Sequence, residues 1–320
     1  MRRFRIFLVV FFFSSLGWAQ SRVDCNTLQS TILRQLVHYC AMVPPGYDDV
    51  KHASERYPVL YYLHGLGDNE QGLFKSGGWN LIEDLREQKK IGDLLLVAPE
   101  GKGSFYVNSA DGRVRYSDFF LREFMPNIEG KYRIRRERSA RAIGGISMGG
   151  YGALRFAFAH PELFASVTAQ SAALITEAPK ELDAAIRAGM PLGEVLGAVF
   201  GHPINPVHWN QNYPLVLARK NGEKVKRLAI YFNCGRDDQY GFEKGAAALD
   251  RQLTQARVEH EFHLYPGDHS PVYFLAHLGE TVEFSWHALG VAEQRSPGAI
   301  HQPAKPSVEN APFASGKVPK

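Results

Sequence analysis

Short apolar runs separated by amphipathic stretches recur through most of the chain, the pattern of strands and helices alternating in an α/β sheet. Six runs predict strands, at Val59–Leu63, Leu94–Ala98, Arg141–Gly145, Ser166–Ala169, Leu228–Asn233 and Glu261–Tyr265. Amphipathic stretches near 79–89, 117–130, 148–159, 243–256 and 273–289 predict helices between and after them. In the stretch from Glu243, residues Ala246, Leu249, Leu253 and Ala256 recur at three- or four-residue spacing, which gives one apolar stripe to lay on a sheet.

Two internal features break the rhythm. Residues 172–226 separate consecutive predicted strands by far more than one helix and its loops require, and they contain Pro179, Pro191, Pro203, Pro206, Pro214 and Trp209. Such an insertion is either a cap over a site or a decorated loop. From Glu293 onward, five prolines fall in 28 residues with few apolar ones, which predicts a disordered, Pro-rich tail over 293–320.

At the other end, Arg2, Arg3 and Arg5 precede the apolar run Ile6 to Phe13 and the small-residue stretch Ser14 to Ala19. That three-part pattern predicts a secretory signal over 1–19, cut after Ala19, and a secreted or periplasmic domain over 20–292. A stable membrane anchor is not expected, because a span needs about 20 apolar residues. The composition, 45% hydrophobic and 22% charged over 320 residues, fits a globular protein large enough to bury a core. The net charge of +4 comes from the two ends; without them residues 20–292 carry about −1. With no basic block in the body, a nucleic-acid partner is not expected.

Export makes the three cysteines informative. Cys25 and Cys40 could close a disulfide loop in an oxidising compartment, the alternative being two buried thiols. Cys234, at the end of an apolar run, reads as a packed residue. No CxxC pair is present, so a cysteine zinc site is not expected.

Gly145-Ile146-Ser147-Met148-Gly149 matches G-x-S-x-G, in which the serine occupies a tight strand-to-helix turn. The match alone is weak in a chain with 30 glycines. Its context is the required one, a predicted strand before it and a predicted helix after it. A serine hydroxyl needs a base to take its proton and a carboxylate to hold that base. The run ending at Asn233 leads to Asp237 and Asp238, and the next leads through Tyr265-Pro266-Gly267-Asp268 to His269. Serine, acid, histidine is the chain order of α/β-hydrolases.

Of the other histidines, His260 and His263 point to opposite faces of a strand, His277 and His287 fall in the last helix, and His160 reads as a helix-end cation. The tetrahedral intermediate needs two backbone donors. Met148 follows the nucleophile, and Leu66 lies in the loop after Leu60-Tyr61-Tyr62-Leu63, where His64 shapes the turn.

Together these residues resemble the esterase D family of α/β-hydrolases, which groups S-formylglutathione hydrolases, feruloyl and acetyl-xylan esterases, enterochelin-type esterases and mycolyltransferases. The resemblance runs from about Tyr39 to Leu289. It is carried by Tyr57-Pro58-Val59-Leu60 leading to His64-Gly65, by Gly145 to Gly152, by Cys234-Gly235 followed by Asp238, and by Tyr265-Pro266-Gly267 before His269. It implies an α/β-hydrolase fold, a mostly parallel sheet flanked by helices with a cap insertion between the last strands. It also implies that Asp238, not Asp237, is the acid of a Ser147–His269–Asp238 triad, with Leu66 and Met148 as oxyanion donors.

The secretory signal argues against an S-formylglutathione hydrolase, and the Asp238 position is Glu in the mycolyltransferases. The resulting expectation is a secreted serine carboxylesterase, feruloyl or acetyl-xylan esterase-like, that needs no cofactor or metal and whose partner is a small or polysaccharide-linked ester. Its specificity is expected to lie in the cap. The nearest rival is an acyltransferase using the same residues. A catalytically silent binding protein would be expected to lack a triad member, and a metal hydrolase to carry H-E-x-x-H; neither signature is present.

Overall fold

The computed structural model describes residues 21–290; the predicted signal and the predicted tail lie outside the described residues. Eight strands form one sheet: β1 (Arg22–Ser30), β2 (Gln35–Val43), β3 (Val59–Leu63), β4 (Leu95–Pro99), β5 (Arg141–Ile146), β6 (Ser166–Gln170), β7 (Ala229–Gly235) and β8 (Glu261–Tyr265). Their spatial order is β1-β2-β4-β3-β5-β6-β7-β8. β2 runs against both of its neighbours, and every other pairing is parallel. The six predicted strands are all present, with no end moved by more than two residues.

The hairpin β1–β2 has no counterpart in the predicted elements. β1 is an edge strand with the polar sequence RVDCNTLQS, so it has no apolar run to mark it. It gains its place by pairing with β2, where Cys25 and Cys40 stand opposite each other in register and are joined by a disulfide. Closing a loop of that length restricts the unfolded chain by about 3 kcal/mol.

Helices cover both faces. They are α1 (Trp79–Glu87), α2 (Tyr116–Phe119) and α3 (Met125–Lys131) joined through a π-helical turn, α4 (Met148–Ala159), the insertion helices α5 (Pro179–Arg187), α6 (Gly193–Phe200), α7 (Pro206–Asn212), α8 (Pro214–Lys220) and α9 (Gly222–Val225), then α10 (Phe242–Gln255) and α11 (Pro271–Ala288). Alternation along β3 divides the interior. Val59, Tyr61 and Leu63 face the larger core with α3, α4 and α10, while Leu60 and Tyr62 face a smaller one with α1 and α11.

A buried ion pair pins the larger layer to the base of the sheet. Arg141, the first residue of β5, donates through Nε and Nη2 to the two carboxylate oxygens of Glu129 on α3, at 2.6 and 2.8 Å. Tyr61 on β3 donates to the same carboxylate at 3.1 Å.

The insertion leaves the sheet after β6 and returns at β7. Its helix α8 packs beside the sheet, against α4 and α10. Tyr151 Oη on α4 donates to the Asn212 carbonyl at 2.9 Å, and Arg155 donates to Asn212 Oδ1 at 3.0 and 3.2 Å. From α10, Gln252 Nε2 donates to the Leu215 carbonyl at 2.7 Å.

The reading of His160 as a helix-end cation is corrected. It does cap the C-terminus of α4, but burial and the neighbouring Arg155 charge lower its pKa and favour the neutral ring. Burial acts in the same direction on His64 and His208.

Two stability predictions follow from these contacts. Glu129→Ala should strip Arg141 of its partner and lower unfolding free energy by about 3 kcal/mol, measured from urea midpoints; an unchanged midpoint would refute the pinning role. The three histidines bind protons less readily when folded than the ordinary value of 6.5 allows. As pH falls below 6.5 the unfolded chain therefore gains protons first and stability declines. Thermal midpoints between pH 7 and 5 should show this loss, reduced in His160→Asn.

Candidate active site

The carboxyl ends of β3, β5, β7 and β8 bring the predicted site residues together. At the end of β5 the chain turns into α4 through Ser147, whose backbone sits at φ 52°, ψ −118°. A non-glycine residue there is strained and must be held by its surroundings. Ser147 N–H donates to the Gln170 carbonyl at 2.9 Å, and its own carbonyl accepts from Tyr151 and Ala173. The turn also needs room that only glycine leaves. A Cβ on Gly149 would lie 1.9 Å from the Leu63 carbonyl oxygen, because α4 begins against the end of β3.

Ser147 Oγ lies 2.9 Å from His269 Nε2, and His269 Nδ1 lies 2.7 Å from Asp238 Oδ2. Asp238 is buried, and its other oxygen accepts from the Tyr240 N–H at 3.0 Å. Asp237 is exposed. Of the two adjacent carboxylates, Asp238 is the one that meets His269.

The acid and histidine loops are stitched together by their backbones. Arg236 N–H donates to the Tyr265 carbonyl and Asp237 N–H to that of Gly267. A Cβ on Gly235 would meet the Gly267 carbonyl oxygen at 2.4 Å, so the close approach depends on that glycine.

His64 does not reach the triad. Its Nε2 accepts from Gly101 N–H at 2.7 Å, so Nδ1 carries the proton and donates to the Gly65 carbonyl at 2.8 Å. Burial lowers its pKa and keeps it neutral in this structural role. Tyr106 Oη donates to the His64 carbonyl, fixing the same loop from another side. Leu66, from this loop, and Met148 both border a cavity of about 120 Å³ at Ser147. Cys234 is buried, and burial pushes its thiol up to about 12, so it stays protonated beside Asp238.

Several neighbours of the triad carried no signal in the sequence. The Gln239 side chain brackets the backbone of His269, accepting from its N–H at 3.0 Å and donating to its carbonyl at 3.3 Å. Tyr240, Phe242 and Phe274 surround the imidazole edge to face, with ring centroids 5.0–5.4 Å away. A lone glutamine and three aromatics have no fixed spacing, so only the folded loops reveal them.

A second, wider cleft of about 510 Å³ opens on the other side of Ser147 and His269. The loop after β3 contributes Gly67, Asp68 and Ser76 to it, and α11 contributes Phe274, Leu275 and Leu278. None of its lining residues comes from 172–226. The insertion, where specificity was expected to lie, lines the smaller cavity through Ala173 and Leu192.

His260 pairs with Asp250 at 3.0 Å and His263 stacks on Tyr265, two separate places. Among the described residues, no group of three or more His, Cys, Asp or Glu side chains converges as a metal site.

Comparison with known proteins agrees with this architecture. The chain is 28% identical over 239 residues to an esterase of Mycobacterium tuberculosis, an alignment covering 69% of this chain and 50% of that protein. It therefore spans about half the length of that relative. An acetyl esterase of Caldicellulosiruptor saccharolyticus is 26% identical over 213 residues, covering 65% of this chain and 78% of the relative. Among solved structures, a ferulic acid esterase superposes with a TM-score of 0.72 at 24% identity, covering 85% of this chain and all of its own. That likeness identifies the α/β-hydrolase fold. The sequence model of the Esterase family matches residues 30–284, and the chain belongs to that family.

Proposed function

We propose that the protein is a secreted serine carboxylesterase that hydrolyses carboxylic esters through Ser147, His269 and Asp238, with acetyl or feruloyl esters of plant polysaccharide as its substrate class. The observation that carries the reading is the unbroken line of contacts from Ser147 Oγ through His269 to Asp238, at 2.9 and 2.7 Å. Family membership and the names of the relatives support ester hydrolysis. Export rests on the amino-terminal pattern and fits a disulfide between Cys25 and Cys40.

The chemistry proceeds in two halves. His269 Nε2 takes the Ser147 proton as Oγ attacks the ester carbonyl carbon, and the carbonyl electron pair moves onto oxygen. Backbone N–H groups of Leu66 and Met148 stabilise that oxyanion. Collapse breaks the bond to the alcohol oxygen, which receives the proton from His269 and leaves. Water then attacks the acyl-serine, giving its proton to His269. The second collapse releases the carboxylic acid and returns the proton to Ser147. Throughout, Asp238 fixes the histidine tautomer and stabilises the imidazolium.

Turnover of p-nitrophenyl acetate, butyrate and octanoate and of methyl ferulate should therefore fall by about 10⁶-fold in Ser147→Ala, close to background. A folded wild-type protein that cleaves none of these esters would remove the proposal. Asp238→Asn should lower kcat by on the order of 10⁴-fold through loss of the correct histidine tautomer. Asp237→Asn should leave it nearly unchanged, and the opposite ranking in steady-state assays would reassign the acid.

A further inference from the structure

We infer that the wider cleft beside Ser147 takes an uncharged, hydroxyl-bearing part of the ester, which Tyr62 Oη holds and which Asp68 favours over a carboxylate. The inference rests on the serine esterase reading above and adds the chemistry of the group that lies next to the reacting bond.

Tyr62, near the end of β3, is only 4% exposed, and its ring belongs to the smaller core, yet it lines the cleft. Its hydroxyl has no hydrogen-bond partner among the described residues. Buried polar groups are nearly always partnered, so a hydroxyl left free at a cleft wall is satisfied by what enters the cleft. Burial and the charge of Asp68 raise its pKa, so it stays protonated and donates. The other hydroxyls that line the cleft, Ser147 apart, are differently placed. Ser76 Oγ already donates to the Gly72 carbonyl at 2.8 Å, and Tyr240 is exposed.

Asp68 is the one acidic or basic side chain, His269 apart, that borders either space at Ser147. It forms no ion pair among the described residues, and its place is fixed by its own loop. Asp68 N–H donates to the Gly65 carbonyl at 3.3 Å, and Oδ1 accepts from Asn69 N–H at 2.8 Å. A Cβ on Gly72, another residue of the cleft wall, would fall 2.0 Å from both carboxylate oxygens, so the carboxylate lies across that glycine. Oδ2 is left to accept from a substrate hydroxyl, and the charge repels a substrate carboxylate.

Leu73, Ile146, Phe274, Leu275 and Leu278 make much of the remaining wall apolar. One donor and one acceptor therefore set the polarity of the cleft, and together they match a hydroxyl, which both accepts and donates. A neutral sugar presents such hydroxyls beside an esterified position, whereas a uronate adds the carboxylate that Asp68 disfavours. Because Asp68 is exposed, its effect is modest and sensitive to salt.

Two ester series test this, so that either side of the ester can occupy the cleft. One holds the alcohol constant, with p-nitrophenyl butyrate, 3-hydroxybutyrate and hemisuccinate. The other holds the acyl group constant, with propyl, 2-hydroxyethyl and carboxymethyl acetate. Tyr62→Phe keeps the ring and removes a hydroxyl that no other residue uses, so the fold should survive. In one series it should lower the hydroxyl-to-apolar ratio of kcat/KM by about fivefold, mainly through KM, the scale of one hydrogen bond.

In that same series Asp68→Asn should raise the carboxylate-to-apolar ratio by about threefold, the scale of one exposed charge pair. Salt at about 1 M, which shortens the screening length to about 3 Å, should raise that ratio in the wild-type protein and not in Asp68→Asn. Either variant leaving its ratio unchanged in both series would overturn the inference, as would effects confined to different series, with the esterase reading intact. Absence of wild-type turnover on all six esters would instead strike the underlying reading.

Discussion

The left-handed backbone of Ser147 is the constraint on which the site depends. That conformation projects the hydroxyl from the turn between β5 and α4, and a residue other than glycine does not adopt it unaided. It is held by hydrogen bonds to Gln170 on the adjacent β6 and to Ala173 at the start of the insertion. It is also held by the close seating of Gly149 against Leu63 on the other adjacent strand, β3. Strain at one residue is thus paid for by pairing across three parallel strands. The same pairing brings the loop carrying Leu66 beside Ser147.

Around that turn, polar and apolar contacts divide the work. Hydrogen bonds orient groups: His64 and Tyr106 fix the loop that carries Leu66, Gln239 fixes the backbone of His269, and Tyr240 N–H fixes Asp238. The aromatic walls of Tyr240, Phe242 and Phe274 limit the space open to the imidazole. The insertion has a narrower role than its length implies. It braces α4 through Asn212 and contributes Ala173 and Leu192 to one cavity.

Most of the fold could be read from the residue pattern because parallel strands buried on both faces are written as continuous apolar runs. The strands at Val59–Leu63 and Glu261–Tyr265 and the helix Met148–Ala159 keep their predicted bounds. The hairpin at the sheet edge could not be read. β1 exposes one face, and it is stabilised by a partner strand and a covalent link rather than by its own hydrophobicity. His160 misled because its helix-end position is visible in the sequence while its burial beside Arg155 is not.

The sequence by itself determined the strand–turn–helix around Ser147, the order of serine, acid and histidine, and the loop positions of Asp238 and His269. It could do so because each depends on short-range backbone requirements that leave a local signature. Only the tertiary structure decided that Asp238 rather than Asp237 meets His269, that Gln239 brackets the histidine, and that two unequal cavities meet at the nucleophile. Those features arise where β7, β8, α11 and the insertion converge. Their distances depend on packing between segments far apart in the chain, which no local pattern encodes.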